Sequence, residues 1–261
     1  MNQETVTYLT NIVIGVILAA LATHYWSTRR GSGAMSYWVT AAWVMTAADA
    51  LFAARPVLPY PLGRLLPTLC VTIGHAVMYL GAERTANLKR SWAGVSAMVL
   101  FHAAGLVGFL FVAQPANWRM VFNAVIWGGF SLMSARCLRR ASPHFWQSVA
   151  APMTVFLVHG VFHAMRAVLA TTFEANGWDA ASQWLQMVGD LEVSFFMVAL
   201  FVGLLIANLQ QRHEELLSAQ AEVQTLSGLL PMCAWCKKVR DDQGYWEQVE
   251  DYFSRRSQIK F

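Results

Sequence analysis

The sequence predicts an all-α membrane protein, a bundle of seven transmembrane helices followed by a polar tail. Of its 261 residues 56% are hydrophobic and only 13% are charged, whereas soluble domains carry roughly 25% charged residues. Seven apolar stretches each have about the 20 residues that a helix needs to cross a bilayer. Because lipid offers no hydrogen-bond partners to the backbone, such stretches form helices.

The connections between the predicted spans are short, and most span ends carry an aromatic or basic residue. The spans are residues 8–26, 35–54, 65–83, 92–113, 118–136, 146–170 and 184–207. Aromatic residues typical of the membrane interface lie near the ends: Tyr8, Trp26, Trp38, Trp92, Trp118, Trp146 and Trp184. Span 1 is expected to be a retained anchor, because Arg29 and Arg30 follow it without a small-residue cleavage site.

The basic residues predict the orientation. Connections after spans 1, 3 and 5 hold eight Arg or Lys residues, against three in the other connections. By the positive-inside rule, the N-terminus is outside and the C-terminus is in the cytoplasm of a bacterium, with the chain in the inner membrane. The net charge of +4 is explained by this topology and does not indicate a nucleic-acid partner. We divide the chain into a bundle (1–207), a cytosolic helix (208–230) and a tail (231–261).

Ionisable side chains inside spans are costly and mark candidate functional sites. The predicted topology places six of them at mid-depth or in the outer half of the bundle, where we expect one outward-facing ligand pocket. They are Asp49, His159, His163, Arg166, Asp190 and Glu192.

The histidines allow several chemistries. His159 and His163 are four residues apart on one helix face and could chelate a metal with a nearby carboxylate. His75 paired with His102 or His163 could instead bind haem iron. A polar network that only stabilises the bundle is the third possibility.

Beyond span 7 the helical pattern continues through residues 208–230. Leu209, Leu216, Val223 and Leu230 recur every seven residues, the spacing of a coiled coil. We expect this helix to end before Pro231 and to favour a homodimer.

The tail contains Cys233 and Cys236 in a Cys-x-x-Cys pair, which supplies two of the four thiolate or imidazole ligands of a zinc site. The stretch from Leu229 to Trp246 resembles the "LPxCxxCKKIRDDxGYW" module of bacterial sensor kinases and response-regulator-like proteins. In that module a second His/Cys segment follows, and this sequence stops at Phe261, where that segment would begin. The resemblance implies half of a zinc-ribbon-like site, either in a truncated chain or in a natural variant.

Residues 37–84, with Tyr37-Trp38, Asp49 and Gly74-His75, are similar to the multi-span sensor modules of bacterial diguanylate cyclases and histidine kinases. The resemblance implies a sensory input module that acts on a cytosolic signalling partner. We find no catalytic motif and expect no enzyme. A scaffold subunit of a membrane complex, with pigment or haem, and a metal-dependent membrane hydrolase are the alternatives.

Overall fold

The computed structural model describes residues 3–28, 33–111, 116–141, 146–229, 232–233, 235–240 and 245–251. Seven long helices follow one another: α1 Gln3–Thr28, α2 Met35–Ala53, α3 Tyr60–Thr85, α4 Trp92–Phe111, α5 Ala116–Leu138, α6 Trp146–Asn176 and α7 Asp179–Leu229. A 3₁₀ helix, Arg55–Val57, joins α2 to α3, and two short strands, β1 Val239–Arg240 and β2 Trp246–Glu247, lie in the tail. The chain divides into two compact units, Met1–Asn208 and Leu209–Phe261.

Six of the helices are long and apolar enough to cross a membrane, so the chain is a multi-pass helical membrane protein. The six segments are Val6–Thr28, Tyr60–Thr85, Trp92–Phe111, Asn117–Leu138, Val149–Asn176 and Asp179–Val223. The remaining predicted span corresponds to α2, a 19-residue helix that is not among the six. The seventh crossing, and with it the assignment of sides, stays a prediction.

The bundle differs from a soluble protein because it buries several polar groups within its apolar core and exposes large apolar groups on its outer surface. His75, His102 and His163 are buried, each at most 1% exposed. On α4, by contrast, Phe101 is 63% and Leu100 is 68% exposed. An apolar outer surface of this kind is what lipid contact requires.

The close packing of α5 against α6 depends on two glycines. A Cβ atom added at Gly128 would lie 2.9 Å from the Cβ atom of His163 and 3.4 Å from the carbonyl oxygen of Gly160. One added at Gly160 would lie 2.7 Å from the side chain of Leu132. Small residues at such positions let two membrane helices approach closely, which brings the polar face of α6 into the interior.

The turn from α6 to α7 is tight. Gly177 has a φ of 66°, and the N–H of Trp178 donates to the carbonyl oxygen of Phe173 at 2.9 Å. This is the hydrogen bond of a Schellman cap, which glycine favours because it lacks a Cβ atom.

In the second unit, a small hairpin follows the helix. Val239 pairs with Glu247 and Arg240 with Trp246 in an antiparallel register, and Val239 also forms a bridge with Met232. Val239 is fully buried. The predicted helix stop at Pro231 lies outside the described residues, and α7 ends at Leu229.

Candidate functional site

A polar cavity of about 590 Å³ opens at one end of the bundle, within the size range of small-molecule sites. It is lined by the N-terminal parts of α1, α3, α5 and α7 and by the C-terminal parts of α2 and α6, so these helices alternate in direction. The charged residues of its lining are Arg55, Arg64, Arg119, Arg166, Asp49, Glu174, Asp179 and Asp190.

Three arginines line the cavity, and we call them the arginine wall. Arg55 on the 3₁₀ helix, Arg64 on α3 and Arg119 on α5 come from three separate elements. Within the described part of the chain, the salt bridges are His159 with Glu192 and Arg212 with Glu215. The three cavity arginines therefore face the cavity without a carboxylate partner.

The cavity lining also holds Asp190, a carboxylate that is bound by neutral donors. The Tyr8 hydroxyl donates to Asp190 Oδ2 at 3.1 Å, and Gln186 Nε2 donates to Asp190 Oδ1 at 2.8 Å. Arg166 Nη2 donates in turn to Gln186 Oε1 at 2.9 Å. This chain of hydrogen bonds ties the start of α7 to α1 and to α6.

A second polar group lies deeper, on α3, α6 and α7. His75 Nδ1 lies 2.9 Å from the carbonyl oxygen of Val71, which can only accept, so His75 donates there. In the neutral form of His75, its Nε2 atom is then an acceptor, and the Nε2 atom of His159 lies 3.1 Å away. His159 Nδ1 lies 2.8 Å from Glu192 Oε1. One further proton must therefore be shared between His159 and Glu192.

His163 is different from the other buried histidines. Its ring packs edge-on against His159, with centroids 4.5 Å apart, and is fully buried. Neither of its ring nitrogens has a hydrogen-bond partner among the described residues, and the same is true of Glu192 Oε2 and Arg166 Nε. Buried polar atoms without partners are rare and usually mark a ligand, an ion or a water.

His102 belongs to a separate network between α3, α4 and α5. Its Nδ1 atom lies 2.7 Å from the Thr72 hydroxyl, and its Nε2 atom lies 3.0 Å from Asn123 Oδ1. Trp127 Nε1 donates to the same hydroxyl at 3.0 Å. The Trp127 ring also contacts His75, at 6.0 Å between centroids. Haem ligation by His75 and His102 stays a prediction.

The six residues predicted for one pocket occupy two neighbouring places. Asp49, Arg166 and Asp190 line the cavity. The ligand atoms of His159, His163 and Glu192 lie within 4.8 Å of one another and are not among the lining residues. Arg166 is one turn beyond His163 on α6, so it connects the two places.

Sequence reasoning missed the arginine wall and the polar partners of Asp190. Arg55, Arg64 and Arg119 were interpreted only as topology signals, since they lie at span ends. The spacing of Gln186 and Asp190, four residues apart on one helix face, was the available signal for their hydrogen bond.

The cysteine pair of the tail forms a tight turn. The Cys233 N–H donates to the Lys238 carbonyl oxygen at 2.8 Å, and the Cys236 N–H points at Cys233 Sγ at 3.4 Å. This N–H group, followed by the Cys236 side chain, the Trp235 N–H and the charge of Lys237, lowers the pKa of the Cys233 thiol. A lowered pKa favours the thiolate that binds metal, but zinc at this pair stays a prediction.

Comparison of the chain with protein-family models, with curated proteins and with solved structures finds no match in any of the three.

Proposed function

We propose that the chain is a sensory input module of a bacterial inner membrane, which binds a small polar molecule in the outward-facing cavity and signals to a cytosolic partner. The observation that carries this proposal is the course of α7. Gln186, Gly189 and Asp190 on this helix line the cavity, and the same helix continues without a break to Leu229. A molecule in the cavity would touch the helix that leaves the bundle.

The charges of the cavity indicate the chemistry of the cue. Arg55, Arg64 and Arg119 offer guanidinium groups, which bind carboxylate or phosphate in a bidentate manner. Asp49 and Asp190, which also line the cavity, can accept hydrogen bonds from an amine or hydroxyl. The cue we propose is a small organic anion, and an amino acid is the simplest molecule that uses both the arginines and the aspartates.

The proposed output is a change of packing between two copies of α7. Leu209, Leu216 and Val223 follow the predicted heptad spacing and are 56%, 69% and 61% exposed in the single chain. A homodimer through residues 208–230 would cover them. For a signal to result, the cue must bind one packing of α7 better than another.

The test starts with the purified full-length protein in nanodiscs and a panel of amino acids, dicarboxylates and inorganic phosphate. We expect at least one compound to raise the unfolding temperature, since a ligand at 100 times its Kd stabilises by about 2.7 kcal/mol. The Arg119→Gln variant should lose this rise. Arg136→Gln is the matched control, because Arg136 is an exposed arginine at the other end of the same helix.

Signalling is measured by disulfide cross-linking of a Leu216→Cys variant in an otherwise cysteine-free chain. The stabilising compound should change the cross-linking rate in this variant and should not do so when Arg119→Gln is added. The proposal would be refuted if no compound in the panel stabilised the protein, or if the unfolding temperature rose equally in Arg119→Gln and Arg136→Gln. It would also be refuted if a bound compound left the cross-linking rate unchanged.

A further inference from the structure

The strongest unexplained feature of the bundle is the group formed by His159, His163 and Glu192. His159 and His163 are one turn apart on α6, and Glu192 faces them from α7. One possible ligand atom from each residue lies within 4.8 Å of the other two. The histidines are 1% and 0% exposed, and the Glu192 side chain is 18% exposed.

Two members of this group have atoms that nothing in the described chain satisfies. Both ring nitrogens of His163 and the Oε2 atom of Glu192 are buried without a hydrogen-bond partner. Leaving a buried polar group unpaired costs about 1–3 kcal/mol. A cation between His163 and Glu192 would accept a lone pair from each and remove part of that cost.

His75 orients His159 from the other side of its ring. Its Nδ1 donates to the Val71 carbonyl oxygen, which leaves the Nε2 lone pair directed at His159 Nε2, 3.1 Å away. Metal-bound histidines typically hold the metal with one nitrogen and donate the other N–H to a neighbouring acceptor, and His159 has this arrangement if Nδ1 binds the ion. Ligand atoms about 2.0 Å from a tetrahedral zinc lie about 3.3 Å apart, and the 2.8 Å between His159 Nδ1 and Glu192 Oε1 is close to that spacing.

We infer that His159, His163 and Glu192 form an intramembrane site for a divalent transition-metal ion, with zinc as the best fit. Two imidazoles and one carboxylate form a mixed nitrogen and oxygen set that suits zinc and related ions and disfavours calcium or magnesium. On binding, the proton shared by His159 Nδ1 and Glu192 would be released to solvent, and His159 would keep the Nε2–H that it donates to His75. The bound ion would join α6 and α7 in the interior.

The cavity lies next to the proposed metal site. Arg166, one turn beyond His163 on α6, lines the cavity. Trp127 contacts the His163 ring at 5.8 Å between centroids and also lines the cavity. The route that this inference assigns to the ion runs from the cavity past Trp127 and Arg166.

The test uses the full-length chain with Cys233→Ser and Cys236→Ser, so that the tail thiols cannot bind metal. We expect one zinc per chain by elemental analysis, and a cobalt-substituted protein with the visible absorption of a tetrahedral site. The His163→Leu and Glu192→Gln variants should each lose at least tenfold in zinc affinity. His102→Gln is the matched control, because His102 is an equally buried histidine with partners of its own.

Unfolding is a separate outcome that the test must detect. His163→Leu removes two unpartnered polar atoms, so the metal-free variant should be at least as stable as the metal-free parent. Absence of bound zinc in the parent that carries Cys233→Ser and Cys236→Ser, or equal zinc affinity in His163→Leu and His102→Gln, would overturn the inference. Arg119→Gln should keep its zinc, so failure of this site and failure of the proposed cue site are distinguishable.

Discussion

The Nε2 atoms of His75 and His159 lie 3.1 Å apart, although the two residues are 84 positions apart in the sequence. Together with Glu192 they form a continuous chain of hydrogen bonds from α3 through α6 to α7. Each link is buried among apolar side chains, with Phe196 stacked on His159 at 3.7 Å. A substitution of one of these three residues therefore changes the hydrogen-bond partners that remain for the other two.

The first prediction concerns Glu192. Glu192→Ala would leave His159 Nδ1 buried without a partner, which should lower the free energy of unfolding by about 1–3 kcal/mol. Glu192→Gln should cost less, since its amide can donate to the neutral imidazole. Thermal unfolding of metal-free protein in detergent measures both. Equal losses in the two variants would show that the hydrogen bond to His159 contributes nothing.

The second prediction concerns the contact between α5 and α6. Gly128→Val places branched carbons against the His163 Cβ atom and the Gly160 carbonyl oxygen, and overpacking of this kind costs about 1–3 kcal/mol. Gly108→Val on α4 is the matched control, because a Cβ atom there meets no atom within 4 Å. Unfolding temperatures of the two variants should differ clearly. If they fall equally, glycine is needed only for its backbone freedom.

Hydropathy was sufficient to locate the helices. Each of the seven predicted stretches falls on one helix, and six of these helices are long and apolar enough to cross a membrane, where the backbone has no hydrogen-bond partners outside its own helix. The predicted helix limits were less accurate. α6 continues to Asn176 and α7 begins at Asp179, whereas the predicted spans end at residue 170 and begin at residue 184. A polar helical turn outside the apolar segment carries no hydropathy signal.

The candidate site shows where a single sequence stops being informative. The cost of ionisable groups in lipid singled out His163 and Asp190. The same cost did not indicate that Arg55, Arg64 and Arg119 face one cavity, because their common location depends on which helices are neighbours. The spacing of residues in the sequence also could not show that His163 lacks hydrogen-bond partners among the described residues while His102 has them, since both are histidines within apolar helices.

The third prediction tests whether α2 crosses the membrane. Thr28→Cys and Val57→Cys are each introduced into a cysteine-free chain. The two positions precede and follow α2 in the sequence, and both are exposed. A membrane-impermeant maleimide applied to intact cells should label the cysteine at Val57 and leave the one at Thr28 unlabelled until the cells are opened. Labelling of both from the same side would mean that α2 does not cross.

The fourth prediction concerns the thiol of Cys233. Because the Cys236 N–H and its neighbours lower the pKa of this thiol below the ordinary value of 9.0, the folded chain holds more thiolate near pH 8 than the unfolded chain does. The thiolate is the nucleophile, so alkylation of Cys233 by iodoacetamide should reach half its maximal rate below pH 9.

The measurement is made in a Cys236→Ala variant, which keeps the backbone N–H and leaves Cys233 as the one cysteine between residues 232 and 251. Peptide mass spectrometry follows alkylation from pH 6 to 10, with the urea-unfolded chain as the control. Identical pH profiles for the folded and unfolded chains would show that the turn does not stabilise the thiolate. If the tail holds half of a zinc site, zinc should slow alkylation more in the parent chain, with both thiols, than in the variant.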